Sequence, residues 1–131
     1  MAMNTLPIVG AHYRPPAKTI IDCLPVGAKL FMEAEPTNPY DGNAVAVYIR
    51  SENIPQSAYE TLEEHLANVG ISLNELLSQE FWHLGYIPKN LAAQLRLNNI
   101  VPLDYKMEGT IGFSPSGKPM IRFEDAIAIQ E

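Results

Sequence analysis

Three carboxylates, Glu33, Glu35 and Asp41, fall within the stretch EAEPTNPYDGN, and Tyr40 stands directly beside the last of them. Glu33 and Glu35 are two positions apart, so on a strand they share a face. Acid–base chemistry needs in addition a proton acceptor and a proton donor with separated roles, and spacing alone assigns neither. Asp41-Gly42 also has an ordinary reading, a turn held by side-chain to backbone hydrogen bonds. A second candidate is GFSPSGKP, residues 112–119. It matches Gly-x-x-x-x-Gly-Lys, but Pro119 replaces the Ser or Thr that would reach a magnesium ion. It also leads into MIRFED, which alternates like a strand, whereas a phosphate-binding loop must open a helix. Only 12 residues follow Pro119, too few for the rest of a nucleotide-binding domain, so nucleotide hydrolysis is not expected. His12, His65 and His83 lie far apart and form no His-x-x-x-His pair, and with Cys23 the one cysteine no metal or other cofactor is expected. A Gly-x-Ser-x-Gly turn is absent as well. The chain reads as a non-enzyme.

The elements that position these residues follow from periodicity. LPIVGAHY reads as a short strand, broken by RPPAKT, where two prolines argue against both helix and central strand. In LPVGAKLFMEAEP, Leu30, Met32 and Ala34 alternate with Phe31, Glu33 and Glu35 after a Pro-Val-Gly turn. NAVAVYI sets Val45, Val47 and Ile49 against Ala44, Ala46 and Tyr48, so these two runs are expected to pair around the loop between them. From Ser51 to about Gln79 the period becomes helical. Ser57 with Glu60 and Ser72 with Glu75 have capping-box spacing, Leu62, Leu66 and Val69 form a stripe, and Gly70 is placed to end a helix. FWHLGYIP returns to strand character, and PKNLAAQLRLNN begins a helix at proline and ends it at Asn98 and Asn99. The tail holds two alternating runs around Pro-Ser-Gly-Lys, the pattern of a hairpin. About six strands with two or three short helices predict a mainly β, α+β fold, a small OB-like β-barrel.

A chain of 131 residues, 47% hydrophobic, suits one domain over residues 1–131 with one core. No stretch approaches the roughly 18–20 apolar residues that span a bilayer, and no cationic segment with a following apolar run marks secretion. No membrane contact is expected, and the location is expected to be cytoplasmic. Cys23 cannot form an intrachain disulfide, and with no basic cluster near it in sequence it reads as a small apolar residue rather than a nucleophile. The net charge of −6 is unevenly placed. Residues 51–82 hold six glutamates and no Lys or Arg, which leaves nine acidic and nine basic residues in the other 99. The acidity is therefore that of one helical segment, and a local site for an anionic polymer elsewhere stays open.

IVGAHY, LPVGAKLFMEAEPTNPYDGNAVAV and LGYIPKNLAAQL, in that order and about 42 residues in all, resemble the HIRAN domain family. The Glu-Pro-x-Asn-Pro-Tyr-Asp-x-Asn-Ala signature and the later Gly-Tyr-Ile-Pro-Lys carry the likeness. The resemblance implies a modified OB-like barrel, here a stand-alone member of bacterial type, with residues 51–82 as an acidic helical insertion. It also implies binding of single-stranded DNA, at a 3′-hydroxyl end, in a DNA repair or mobile-element setting. A separately encoded helicase or nuclease is the partner that such a setting implies. Carried over residue by residue, the DNA-binding positions are His12, Tyr13, Tyr40, Asp41, Tyr86 and Lys89. His12 and Tyr86 stand where the DNA-binding relative has an arginine and a histidine. Under this resemblance Tyr13 and Tyr40 offer flat partners to bases, Asp41 accepts a hydrogen bond from a terminal hydroxyl, and Lys89 holds a phosphate at a helix start. The competing reading keeps the barrel as a protein-interaction or structural module, with Tyr40 packed on its hairpin.

Overall fold

The computed structural model describes residues 2–11, 15–97 and 106–128. Six strands form one antiparallel sheet: β1 (Ala2–Pro7), β2 (Lys29–Ala34), β3 (Val45–Arg50), β4 (Phe81–Tyr86), β5 (Met107–Phe113) and β6 (Pro119–Ala128), in the order β1-β6-β5-β2-β3-β4. Four α-helices accompany it: α1 (Pro15–Cys23), α2 (Tyr59–Leu66), α3 (Leu73–Ser78) and α4 (Lys89–Leu97). Among the described residues no helix is long and apolar enough to cross a membrane.

The expected alternation is present in β2 and β3. Leu30, Met32 and Ala34 join Val45, Val47 and Ile49 in the core, paired Met32 to Val47 and Ala34 to Val45. Phe31 and Tyr48 pair on the opposite face, outside that core cluster. Leu62 and Leu66 of α2 and Leu76 of α3 are fully buried in the same core; α2 packs on α1, and α1 on β4. Each such side chain contributes about 1.5–3 kcal/mol on burial.

The sheet is not closed, so "barrel" describes its curl rather than a continuous ring of hydrogen bonds. Its two edges meet at a bridge just beyond β1, where Val9 N–H donates to the Tyr86 carbonyl at 2.8 Å and Tyr86 N–H to the Val9 carbonyl at 2.9 Å. Gly85 permits this approach. A Cβ there would lie 2.5 Å from the Val9 carbonyl oxygen and 3.0 Å from Ile8 Cγ2.

Three local expectations fail. LPIVGAHY is not the first strand: β1 ends at Pro7, and beyond it Val9 makes an isolated bridge. The prolines of RPPAKT do not exclude helix, because Pro15 and Pro16 open α1. The first-turn N–H groups of a helix have no internal acceptor, so proline costs nothing there. Ser57 and Glu60 form no capping box either. Ser57 lies inside a 3₁₀ turn, Gln56–Ala58, that runs straight into α2, whose N-cap is Ala58 with no side-chain bond. The Ser72 box is half formed, with Glu75 N–H donating to Ser72 Oγ at 3.1 Å, and Gly70 ends the preceding turn at φ 73°. Residues 112–119 lie at the β5–β6 hairpin, not at a helix start. Asn98 and Asn99 lie outside the described residues.

Candidate nucleic-acid interface

The loop from Glu35 to Ala44 is clamped at its neck, where Glu35 N–H donates to the Ala44 carbonyl at 2.9 Å. Asn38 organises its interior. The Asn38 Oδ1 accepts from the amides of Tyr40 at 2.9 Å and Asp41 at 3.1 Å, while its Nδ2 donates to Glu35 Oε1 at 3.0 Å. Short polar side chains make such local bonds readily, which is why asparagine suits this position. Asp41 Oδ1 accepts from Asn43 N–H at 2.9 Å, closing a second turn. The backbone is thus fixed on both sides of Tyr40, whose ring is 93% exposed.

Glu35 links this loop to the sheet. Its Oε1 accepts from Tyr86 Oη at 2.8 Å and its Oε2 from Tyr48 Oη at 3.2 Å. Burial alone would push its carboxyl up. Hydrogen bonds from Asn38 and Tyr86, the charge of His83 and the bond from Tyr48 outweigh that, and hold Glu35 below the ordinary carboxylate range. Tyr48 responds in the opposite sense. Burial, then the charge of Glu35 and the bond to it, push its phenol up to about 12.

A cavity of about 680 Å³ opens between the loop and the sheet, walled by Glu35, Asn38, Tyr40, Asp41, Tyr86 and Lys89 among others. Lys89 is the first residue of α4 and is exposed. The Ala92 N–H bonds the Pro88 carbonyl at 2.9 Å, so the helix begins its ladder there and the amides before Ala92 lie in its open first turn. Glu35, Asp41 and Lys89 give the cavity wall one positive and two negative groups.

The HIRAN domain family model matches residues 3–129. The chain belongs to the HIRAN family. No curated protein and no solved structure matches it significantly. HIRAN domains are in general modules that bind single-stranded DNA, rather than catalytic ones. In this HIRAN chain four of the six residues singled out by resemblance, Tyr40, Asp41, Tyr86 and Lys89, line one cavity. His12 and Tyr13 lie outside the described residues. Sequence reasoning missed Asn38 and undervalued Glu35, although both stand in the family signature. Asn38 was legible as a loop-forming residue, but its reach to Glu35 and the closure of Tyr86 onto the same carboxylate required the fold. Cys23 does not line the cavity, and burial and then the charge of Asp22 push its thiol up.

Proposed function

We propose that this HIRAN domain binds single-stranded DNA at a free 3′-hydroxyl end and serves a separately encoded repair or mobile-element enzyme in the cytoplasm, without catalysis of its own. The observation that carries the reading is the convergence of Tyr40, Asp41, Tyr86 and Lys89 on one open cavity of about 680 Å³. Tyr40 presents its ring to solvent from a backbone fixed by Asn38, which favours a stacking role over packing on its hairpin. Stacking of a base on such a ring contributes about 1–3 kcal/mol without demanding a sequence. Asp41, beside the ionised Glu35, accepts the terminal hydroxyl. Lys89 and the free first turn of its helix take the adjacent phosphodiester.

Fluorescence anisotropy with a trinucleotide carrying a 3′-hydroxyl, against its 3′-phosphorylated twin, tests the assignment. The hydroxyl form should bind roughly 10-fold or more tightly, since the phosphate brings a charge of about −2 against Glu35 and Asp41. With Lys89 neutralising one phosphate, and a second neutralised at most, the slope of log affinity against log salt should lie between about −0.7 and −1.4. Tyr40→Ala should weaken binding by about 1–3 kcal/mol while leaving the unfolding midpoint in place. Equal affinity for both ends, or no binding to either at low salt, defeats the proposal.

A further inference from the structure

On the sheet face opposite the core, one residue from each of three neighbouring strands forms a row: Phe31 on β2, Tyr48 on β3 and His83 on β4. The rings touch. Phe31 and Tyr48 stack at 5.3 Å between centroids, and Tyr48 and His83 at 5.0 Å. His83 then meets Tyr86 edge-on at 4.7 Å, and Tyr86 lines the cavity. At the other end Phe81, 40% exposed, stands edge-on to Tyr48 at 5.4 Å. An aromatic path therefore leaves the cavity and crosses three strands.

Two cations end that path. Arg50 Cζ lies 5.0 Å and Lys106 Nζ 5.1 Å from the Phe31 centroid, and Lys106 is also 5.7 Å from that of Phe81. Converging two like charges on one ring is unfavourable unless an anion joins them. Two carboxylates nearby, Glu80 and Glu108, are weak competitors for that place. Glu80 approaches Arg50 only to 3.8 Å and is 79% exposed, a geometry worth little in water. Glu108, opposite Phe31 in the β2–β5 register, is exposed. An exposed ring beside two cations matches a short run of strand, a base to stack and the phosphodiesters on its two sides to neutralise.

We infer that Phe81, Arg50 and Lys106 form a second contact for the same single strand, several nucleotides upstream of its end, reached along the Tyr48–His83 path. The inference rests on the end-binding reading above. It commits the face to a phosphodiester chain continuing from the cavity, and so predicts a length dependence that the cavity alone does not have.

Anisotropy with 3′-hydroxyl oligothymidylates of three and ten nucleotides separates the two claims. The decamer should bind roughly 10-fold or more tightly than the trimer, one further stack. Its salt slope should be steeper by about 1.4, two further phosphates. Phe81→Ala and Lys106→Gln should each pull the decamer toward the trimer while leaving trimer affinity unchanged, and Lys106→Gln should take about 0.7 off the decamer slope. Lys106 is exposed, so that variant reports on contact rather than folding. A decamer no tighter than the trimer, or variants that weaken both equally, overturns the second contact while leaving the end site standing. Failure of both lengths to bind at low salt overturns the end site and the second contact with it.

Discussion

Replacing Asn38 by alanine removes the acceptor of two backbone amides, at 2.9 and 3.1 Å, and the donor to Glu35 at 3.0 Å. Hydrogen bonds of this kind contribute about 0.5–1.5 kcal/mol each. The Tyr40 amide is near solvent and is rehydrated on loss, so the expected destabilisation is about 2 kcal/mol rather than the upper sum. With a urea slope of about 1–3 kcal/mol/M, the midpoint should fall by roughly 1 M. Asn38→Asp divides the effect. It keeps the oxygen that holds the Tyr40 and Asp41 amides, but sets a second carboxylate against the ionised Glu35. One of the two must then have a raised pKa, so the aspartate variant should regain stability as pH falls, whereas the alanine variant should not. Urea unfolding from pH 7 to about pH 5, followed by tryptophan fluorescence, reads both. An alanine cost below about 0.5 kcal/mol, or an aspartate variant as flat in pH as the alanine one, refutes the claim that Asn38 holds the loop to Glu35.

Gly85→Ala should be the most damaging small substitution in the site, because the new Cβ meets the Val9 carbonyl oxygen at 2.5 Å. Overpacking of about 1–3 kcal/mol plus two weakened backbone bonds should lower stability by roughly 2–5 kcal/mol and weaken oligonucleotide binding through displaced Tyr86. A thermal midpoint within about 2 °C of the parent counts against that bridge. Glu35 supplies a pH dependence. Its folded pKa lies below its ordinary 4.5, so its contribution is present above about that pH and lost as pH falls through the depressed value. Glu35→Gln should therefore flatten the acid limb of a stability–pH curve, and an unchanged limb removes the role assigned to that carboxylate.

Where chemistry repeats at period two, the fold was readable: β2, β3 and the β5–β6 hairpin follow the alternation of apolar residues. The misread helix α1 came from treating proline as a breaker regardless of position, when only the helix interior penalises it. The failed Ser57 box shows the reverse, a correct spacing overridden because the backbone was already turning before the expected cap. Tyr40, Asp41, Tyr86 and Lys89 were singled out through resemblance, and the fold brings them to one cavity. The role of Glu35 was not legible, because its partners Tyr48 and Tyr86 lie 13 and 51 residues away and converge only through strand register. The edge bridge was equally hidden, although a glycine inside a strand pattern marks a close backbone approach.

Topology also resolves the apparent conflict between a net charge of −6 and a polyanionic ligand. The helical segment departs after Arg50 at the end of β3 and returns at Phe81 at the start of β4, where Ser51 N–H bonds the Glu80 carbonyl at 2.9 Å. The cavity lies at the other end of the same two strands, beside Val45 and Tyr86. Five residue steps at about 3.4 Å separate the two ends by roughly 17 Å, about twice the Debye length of ~8 Å at physiological salt. Glu60, Glu63 and Glu64 are exposed on α2, a helix that buries its other side in the core cluster. For a strand end held in the cavity, as a trinucleotide would be, their repulsion is therefore screened at 0.15 M and felt at 0.01 M, where the Debye length is ~30 Å. Attraction by Lys89 strengthens over the same range, so the two effects oppose each other as salt is removed. Log affinity should accordingly follow its linear salt dependence near physiological ionic strength and flatten toward low salt. Replacing Glu60, Glu63 and Glu64 by glutamine should restore the straight line without changing affinity at 0.15 M; a line already straight to 0.01 M would place the acidic helix too far from the bound strand to matter at any salt.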